Sequence, residues 1–301
     1  MAEEKENGEL QSATYFSKQK ISCPLCGASV VREDLLTGSG RIIAGDLSDE
    51  LRRYYEPSKK TGIVYPFLYS VEICPECGFA MMCSDFERVK KSEVEHIKPK
   101  IDKIVENTEK IFPYFKCEGK RDLFDGAAAY YIALQCYDLM SANFSPTIKK
   151  GIVCLRLAWI CDELNNKIPQ RNYDFIRDSF YRKSEFFYDL ALTYETTGEE
   201  KINNIISYGP DTDKNYGFDG VQYLSALLTY KYGRREDLVE RTRIIERKKT
   251  MLAKLFGLGK TSKSKPGPLL NLARDLYNNL KKELQNARSI DEEAFADLDL
   301  E

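Results

Sequence analysis

The stretch "SVEICPECGFAMM" (residues 70–82) places Cys74 and Cys77 two residues apart, with Pro75 inside the pair and Gly78 directly after it. A near-copy, "ISCPLCGASV" (residues 21–30), carries Cys23, Cys26, Pro24 and Gly27 in the same order. Between the two pairs lie 47 residues. A two-residue spacer lets both thiolates of a pair reach one ion, and zinc takes four soft ligands in a tetrahedron. The prolines prearrange each turn, and the glycines permit the positive φ that closes it. The duplicated spacing therefore predicts one shared, structural Zn²⁺ held by Cys23, Cys26, Cys74 and Cys77. A thioredoxin-like redox pair needs a single Cys-x-x-Cys opening a helix. Here the runs that follow, "ASVVRE" and "FAMMCS", are β-prone and fit two knuckles on hairpins, a zinc ribbon. Use of the same thiolates as a redox switch stays open as a lesser alternative.

The remaining composition narrows the function. Hydrophobic content is 43% and charged content 31%, as in an ordinary globular chain, and the net charge of −2 implies no bulk attraction to nucleic acid or anionic lipid. The beginning "MAEEKENGELQS" lacks a basic region followed by an apolar run, and no apolar stretch reaches membrane-spanning length. A cytoplasmic location and reduced thiols are expected on that basis. The single histidine, His96, removes most triad and multi-histidine metal mechanisms. It lies beside an apolar stripe and reads as structural.

Between the knuckles, "SDELRRYY" reads as a short helix capped by Ser48, and Tyr65, Phe67, Leu68, Tyr69 and Val71 read as a buried strand. Arg41, Arg52 and Arg53 form either an anion-binding surface or a solvated face. From Ser84 onward the pattern is helical: Val94, Ile97, Ile101, Ile104 and Ile111 share one stripe, with Pro99 breaking or kinking the helix. Farther on, "YDLALTYETTG" (188–198) and "YLSALLTYKYG" (223–233) match with an offset of 35, and Ala158 precedes Ala191 by 33. A further, degenerate copy surrounds Ala133. Such a period resembles divergent tetratricopeptide repeats, in which neighbouring helical hairpins stack because none buries its apolar face alone. Cys136, Cys154 and Cys161 read as small buried apolar residues, and Cys83 and Cys117 as spare thiols.

The segment "YPFLYSVEICPECGFAMMCSDF", with the earlier "CPLCG" and the later "VCLRLAWICDELN" (153–165), resembles the bacterial family catalogued as domain of unknown function 2225. The resemblance covers roughly residues 18–250. It implies a zinc-ribbon head on a tetratricopeptide-like body, carries no established activity, and maps the family's cysteines and glycines onto Cys23, Cys26, Gly27, Cys74, Cys77 and Gly78. Phe79 stands where the family often has tyrosine.

The expected fold class is thus mainly α, with antiparallel helical hairpins and a small N-terminal β zinc ribbon. The expected organisation is a disordered tail (1–17), a ribbon (18–90), a helical-repeat domain (91–256), a flexible linker (257–268), an amphipathic helix (269–286) and an acidic tail (287–301). Residues 231–265 carry twelve Lys/Arg against four Asp/Glu. No phosphate loop, dinucleotide fingerprint or paired-carboxylate motif is present. A non-enzymatic scaffold with a protein partner is the leading reading. The alternative is nucleic-acid binding through the basic 231–265 segment.

Overall fold

A computed structural model describes the backbone of residues 10–202, 205–256 and 266–298, with side chains through Ala287. The chain divides into two units: residues up to Ser48 together with Arg52–Met140, and residues 49–51 together with Ser141 onward.

The first unit contains three two-stranded antiparallel sheets. Strands β1 (Thr14–Ser22) and β2 (Ser29–Leu35) form one, β3 (Ile43–Leu47) and β4 (Arg53–Glu56) the second, and β5 (Val71–Ile73) and β6 (Ala80–Met82) the third. Four helices follow: α1 (Cys83–Phe86), α2 (Lys91–Ile97), α3 (Ile101–Glu109) and α4 (Leu123–Tyr137). Helix α4 begins with a capping box, in which Asp122 accepts from the N–H of Asp125 and Asp125 accepts from the N–H of Asp122. Its run Ala127–Ala129 is fully buried. Small residues are needed here, since a Cβ on Gly126 would lie 2.5 Å from the Leu68 side chain. Tyr130 and Tyr137 anchor the helix to the β5–β6 region through the Phe67 carbonyl and the Asp85 carboxylate, both at 2.6 Å.

Several local expectations are corrected. Ser48–Leu51 is not a helix but the turn joining β3 to β4: Ser48 Oγ accepts from the N–H of Arg52, and Leu51 is left-handed at φ 58°. The aromatic run before the second knuckle is a 3-10 helix, Pro66–Ser70, because Pro66 offers no N–H to a strand ladder. Only Val71–Ile73 is strand. Pro99 does end α2, and a short 3-10 turn, Lys98–Lys100, separates it from α3. Ile97, Ile101 and Ile104 face the core, and His96, beside that stripe as expected, is exposed. Strand β1 starts inside the tail expected to be disordered, while residues 1–9 lie outside the described part. The α2–α4 segment expected in the helical body belongs to the first unit.

The second unit is a run of long helices: α5 (Pro146–Lys167), α6 (Tyr173–Thr197), α7 (Gly217–Tyr232), α8 (Leu238–Phe256) and α9 (Gly267–Leu298). Each is antiparallel to the next, as cross-contacts show. Ser184 donates to the Gly151 carbonyl while Arg177 pairs with Asp162; Thr229 pairs with Glu185 while Ser225 meets Asp189; Lys248 reaches Ser225 while Arg241 reaches the Thr229 carbonyl. The repeat alanines Ala158, Ala191 and Ala226 are all buried, one on each of α5, α6 and α7. Their spacing therefore measures one long helix plus its connection, where a tetratricopeptide repeat would place a helix pair. Ala133 lies in α4, in the other unit. The stripe Leu269, Ala273, Leu276, Leu280 and Leu284 is buried within the same chain against α7 and α8. The helix extends past the expected end at 286 to Leu298, through much of the expected acidic tail. Most of the expected linker, residues 257–265, lies outside the described residues.

Residues 49–51 complete this helical unit. Glu50, buried, accepts from Trp159 Nε1 at 2.7 Å, from Tyr181 OH at 2.9 Å and from Lys231 Nζ at 3.3 Å. The Tyr181 and Tyr232 rings stack at 4.2 Å beside it. A buried carboxylate is tolerated only with such a set of donors. Glu50→Ala strands them, with an expected loss of about 3 kcal/mol of stability. Denaturant titration followed by fluorescence of Trp159, the one tryptophan in the chain, measures it.

Candidate metal centre

Each cysteine pair sits in a hairpin turn built to one plan. In the first knuckle the N–H of Cys23 donates to the Ala28 carbonyl and that of Gly27 to the Cys23 carbonyl; in the second, Cys74 donates to Phe79 and Gly78 to Cys74. Register agrees as well, with Ser22 opposite Ser29 and Ile73 opposite Ala80. Gly27 and Gly78 take φ of 76° and 70°, a region open to glycine at little cost. Gly78 is doubly constrained, because a Cβ there would lie 2.5 Å from Val105 of α3.

The two turns bring four sulfurs within 4.8 Å of one another. Cys23 Sγ lies 3.7 Å from Cys77 Sγ, and Cys26 Sγ lies 3.6 Å from Cys74 Sγ. A tetrahedron with metal–sulfur bonds of about 2.3 Å has edges of about 3.8 Å. The donor set and these two edges therefore fit a tetrahedral ion, and none of the nine cysteines is in a disulfide. Cys23 and Cys74 are buried while Cys26 is exposed, so the group lies at the edge of the core.

Electrostatics within the cluster favour a cation. Hydrogen bonding from the Cys77 thiol pushes Cys23 down to about 5, and the same contact pushes Cys77 up. Burial pushes Cys74 up to about 11. A second and third thiolate beside the first are disfavoured until a positive ion enters. Cys83 stands outside the group, with its Sγ donating to the Tyr69 carbonyl and its thiol pushed up to about 12 by burial. Cys117 is likewise separate. Cys136, Cys154 and Cys161 are fully buried in helices.

The other candidates do not assemble. Arg52 is buried, its guanidinium over the rings of Tyr54 and Phe67 at 4.7 and 5.4 Å, and Arg53 donates to the Gly45 carbonyl. Arg52 and Arg53 thus brace the first unit rather than forming a solvated face, while Arg41 is half-buried with its Nε unpaired. In the basic segment, Arg241 is held by Glu283 and Lys248 by Asp189, both cations buried. Sequence reading missed Val105 over the second knuckle and the Glu50 cluster, since both depend on contacts between distant positions.

A four-cysteine centre on paired knuckles, joined to a mainly helical chain, defines the class of protein. The chain belongs to the family described as "Uncharacterized protein conserved in bacteria (DUF2225)", which matches residues 16–280. It is 35% identical to an "Uncharacterized protein" of Borreliella burgdorferi (strain ATCC 35210 / DSM 4680 / CIP 102532 / B31), over 93% of this chain and the whole of that one. No solved structure matches. Among the described residues no helix is long and apolar enough to cross a membrane.

Cys74→Ser is expected to abolish stoichiometric metal retention, measured by elemental analysis. Binding must displace thiol protons, those of Cys74 and Cys77 among them because both thiols are pushed up, so apparent affinity falls as pH drops. The expected slope is at least a hundredfold per pH unit, about tenfold for each proton released, read by chelator competition. Gly78→Ala, strained and overpacked against Val105, is expected to cost about 2 kcal/mol.

Proposed function

We propose that this chain is a non-enzymatic cytoplasmic interaction scaffold whose metal is one structural Zn²⁺ held by Cys23, Cys26, Cys74 and Cys77. Zinc suits four thiolates at tetrahedral spacing, and four protein ligands fill its sphere, leaving no position for an activated water. The ion's role is then to clamp the two hairpins.

The observation that carries the scaffold reading is the face of α6. Phe175 and Phe186 are eleven residues apart, about three turns, and so share one side of the helix. They remain 72% and 55% exposed, whereas Phe180, Tyr181 and Tyr188 of the same helix fill the core. Large aromatics on the solvent side of a helix are the kind of anchor that protein interfaces use. The aromatic residues of α6 thus divide between core and surface.

Nucleic-acid binding through residues 231–265 is the second reading. It draws on the local basic excess and is weakened by the burial of Arg241 and Lys248 in ion pairs. A salt titration separates the two readings, since neutralised phosphates give a steep loss of affinity with rising salt.

The test of the scaffold uses the full chain, because α9 buries its stripe in the helical unit and truncation at 257 would open that core. Native protein and a Phe175→Asp, Phe186→Asp variant are used as bait under matched conditions. A protein retained by the native chain and lost from the folded variant supports the proposal. Retention that the variant leaves unchanged removes the α6 face from it, and no reproducible protein partner overturns it.

A further inference from the structure

We propose that the outer face of α6 receives the acidic C-terminal segment, residues 289–301, of a second copy of this chain, an assignment that rests on reading α6 as an interaction face and names what binds it. On α6, Phe175, Ser179, Arg182 and Phe186 follow one another at i, i+4, i+7 and i+11, the spacing of a single helix stripe. Arg182 thus stands between the two exposed phenylalanines, with Lys183 beside it, and both cations are exposed. Lys183 lies over the Phe180 ring at 5.7 Å, and among the described residues neither cation is in an ion pair. The carboxylates of the same helix are turned aside or taken. Asp178 accepts from Arg177 Nε at 2.9 Å, Glu185 accepts from Thr229 Oγ1 at 3.0 Å, and Asp189 is held by Lys248. Asp174 lies about 100° round the helix from Phe175, in the first turn, where the helix dipole favours a negative charge. Aromatic anchors around uncompensated positive charge select a ligand that is acidic and apolar at once.

The end of the chain has that composition. "SIDEEAFADLDLE" (289–301) holds six Asp and Glu, no Lys or Arg, and Ile290, Phe295, Leu298 and Leu300 among them. The α9 backbone is helical through Leu298, so Ile290 to Leu298 spans about 12 Å, against about 16 Å from Phe175 to Phe186. A short helix laid along the α6 stripe therefore meets both anchors and the cations between them. The segment comes from another copy because its own chain holds it elsewhere. Up to Ala287, α9 is fixed against α7 and α8. The helix then continues unbroken, so the segment advances along the α9 axis and does not fold back over α6. Two copies can exchange segments reciprocally, each α6 covered by the other's C-terminus, which closes the assembly at a dimer.

The test is sedimentation velocity on the full, metal-loaded chain at low and at high ionic strength. The native chain is expected to be a dimer that dissociates as salt rises. Two charge reversals act on opposite sides of the contact: Arg182→Glu with Lys183→Glu on the face, and Asp291→Lys, Glu292→Lys and Glu293→Lys on the segment. Each alone sets like charge against like and is expected to weaken dimerisation about tenfold or more. Mixed in equal amounts, the two variants are expected to recover the dimer, since every face then meets a segment of opposite charge. Arg182→Ala, milder than the reversal, guards against misfolding and is expected to weaken dimerisation in the same direction. A monomeric native chain, a dimer indifferent to the face variants, or reversed variants that stay monomeric when mixed overturns the proposal. Failure of the α6 reading itself is seen separately: a different protein captured by the native bait and lost with Phe175→Asp, Phe186→Asp keeps that reading even if the chain does not self-associate.

Discussion

Four thiolates that share one cation must lie about 3.8 Å apart along every edge of a tetrahedron. The two hairpin turns bring two of those edges to 3.6 and 3.7 Å and all four sulfurs within 4.8 Å of one another, although 47 residues separate the pairs along the chain. Much of the first unit can be read as the means of holding this geometry. Each knuckle needs a glycine at positive φ and an inward-directed carbonyl to close. The second also needs α3 to come close enough for Val105 to cover Gly78. Helix α4, thin along its alanine run, fits under β5 and β6 and fixes the second hairpin from beneath.

The helical unit is organised by a different physical demand. Its helices are long, and several of their buried positions are charged: Arg156, Lys149, Arg241 and Lys248 all lie inside. Burial of each charge requires a partner. Arg241 finds Glu283 and the Thr229 carbonyl, and Lys248 finds Asp189 and Ser225. These pairs cross from helix to helix and fix register, which apolar contacts alone leave loose. Glu50 and Asp49 serve in the same way, entering from a turn far upstream to meet Trp159, Lys231 and the Tyr181–Tyr232 stack. The basic surplus of residues 231–265 is reduced from within by the same pairing.

Legibility in the sequence followed the range of the interactions concerned. The four clustered cysteines and their glycines could be read because every element of a knuckle lies within six residues. The break at Pro99 and the buried stripe of α9 were legible for the same reason, since periodicity and proline act locally. Ser48–Leu51 was misread because serine followed by acidic residues also suits a helix start. A hairpin there puts Glu50 among donors more than a hundred residues away, and no local signal reveals them. Pro66 turned a β-prone aromatic run into a 3-10 helix by withholding one backbone donor. The alanine period was real, yet its meaning changed once each copy proved to lie on its own long helix.

From the amino-acid order alone came the chemistry: two soft-ligand turns of identical design and a mainly helical remainder. Tertiary structure decided the convergence of the turns, the division of the chain after Met140 and the burial of α9 within its own chain. The reason is physical. Ligand type, turn geometry and helical period are properties of neighbouring residues, whereas convergence and the partnering of buried charge exist only once distant segments exclude water together.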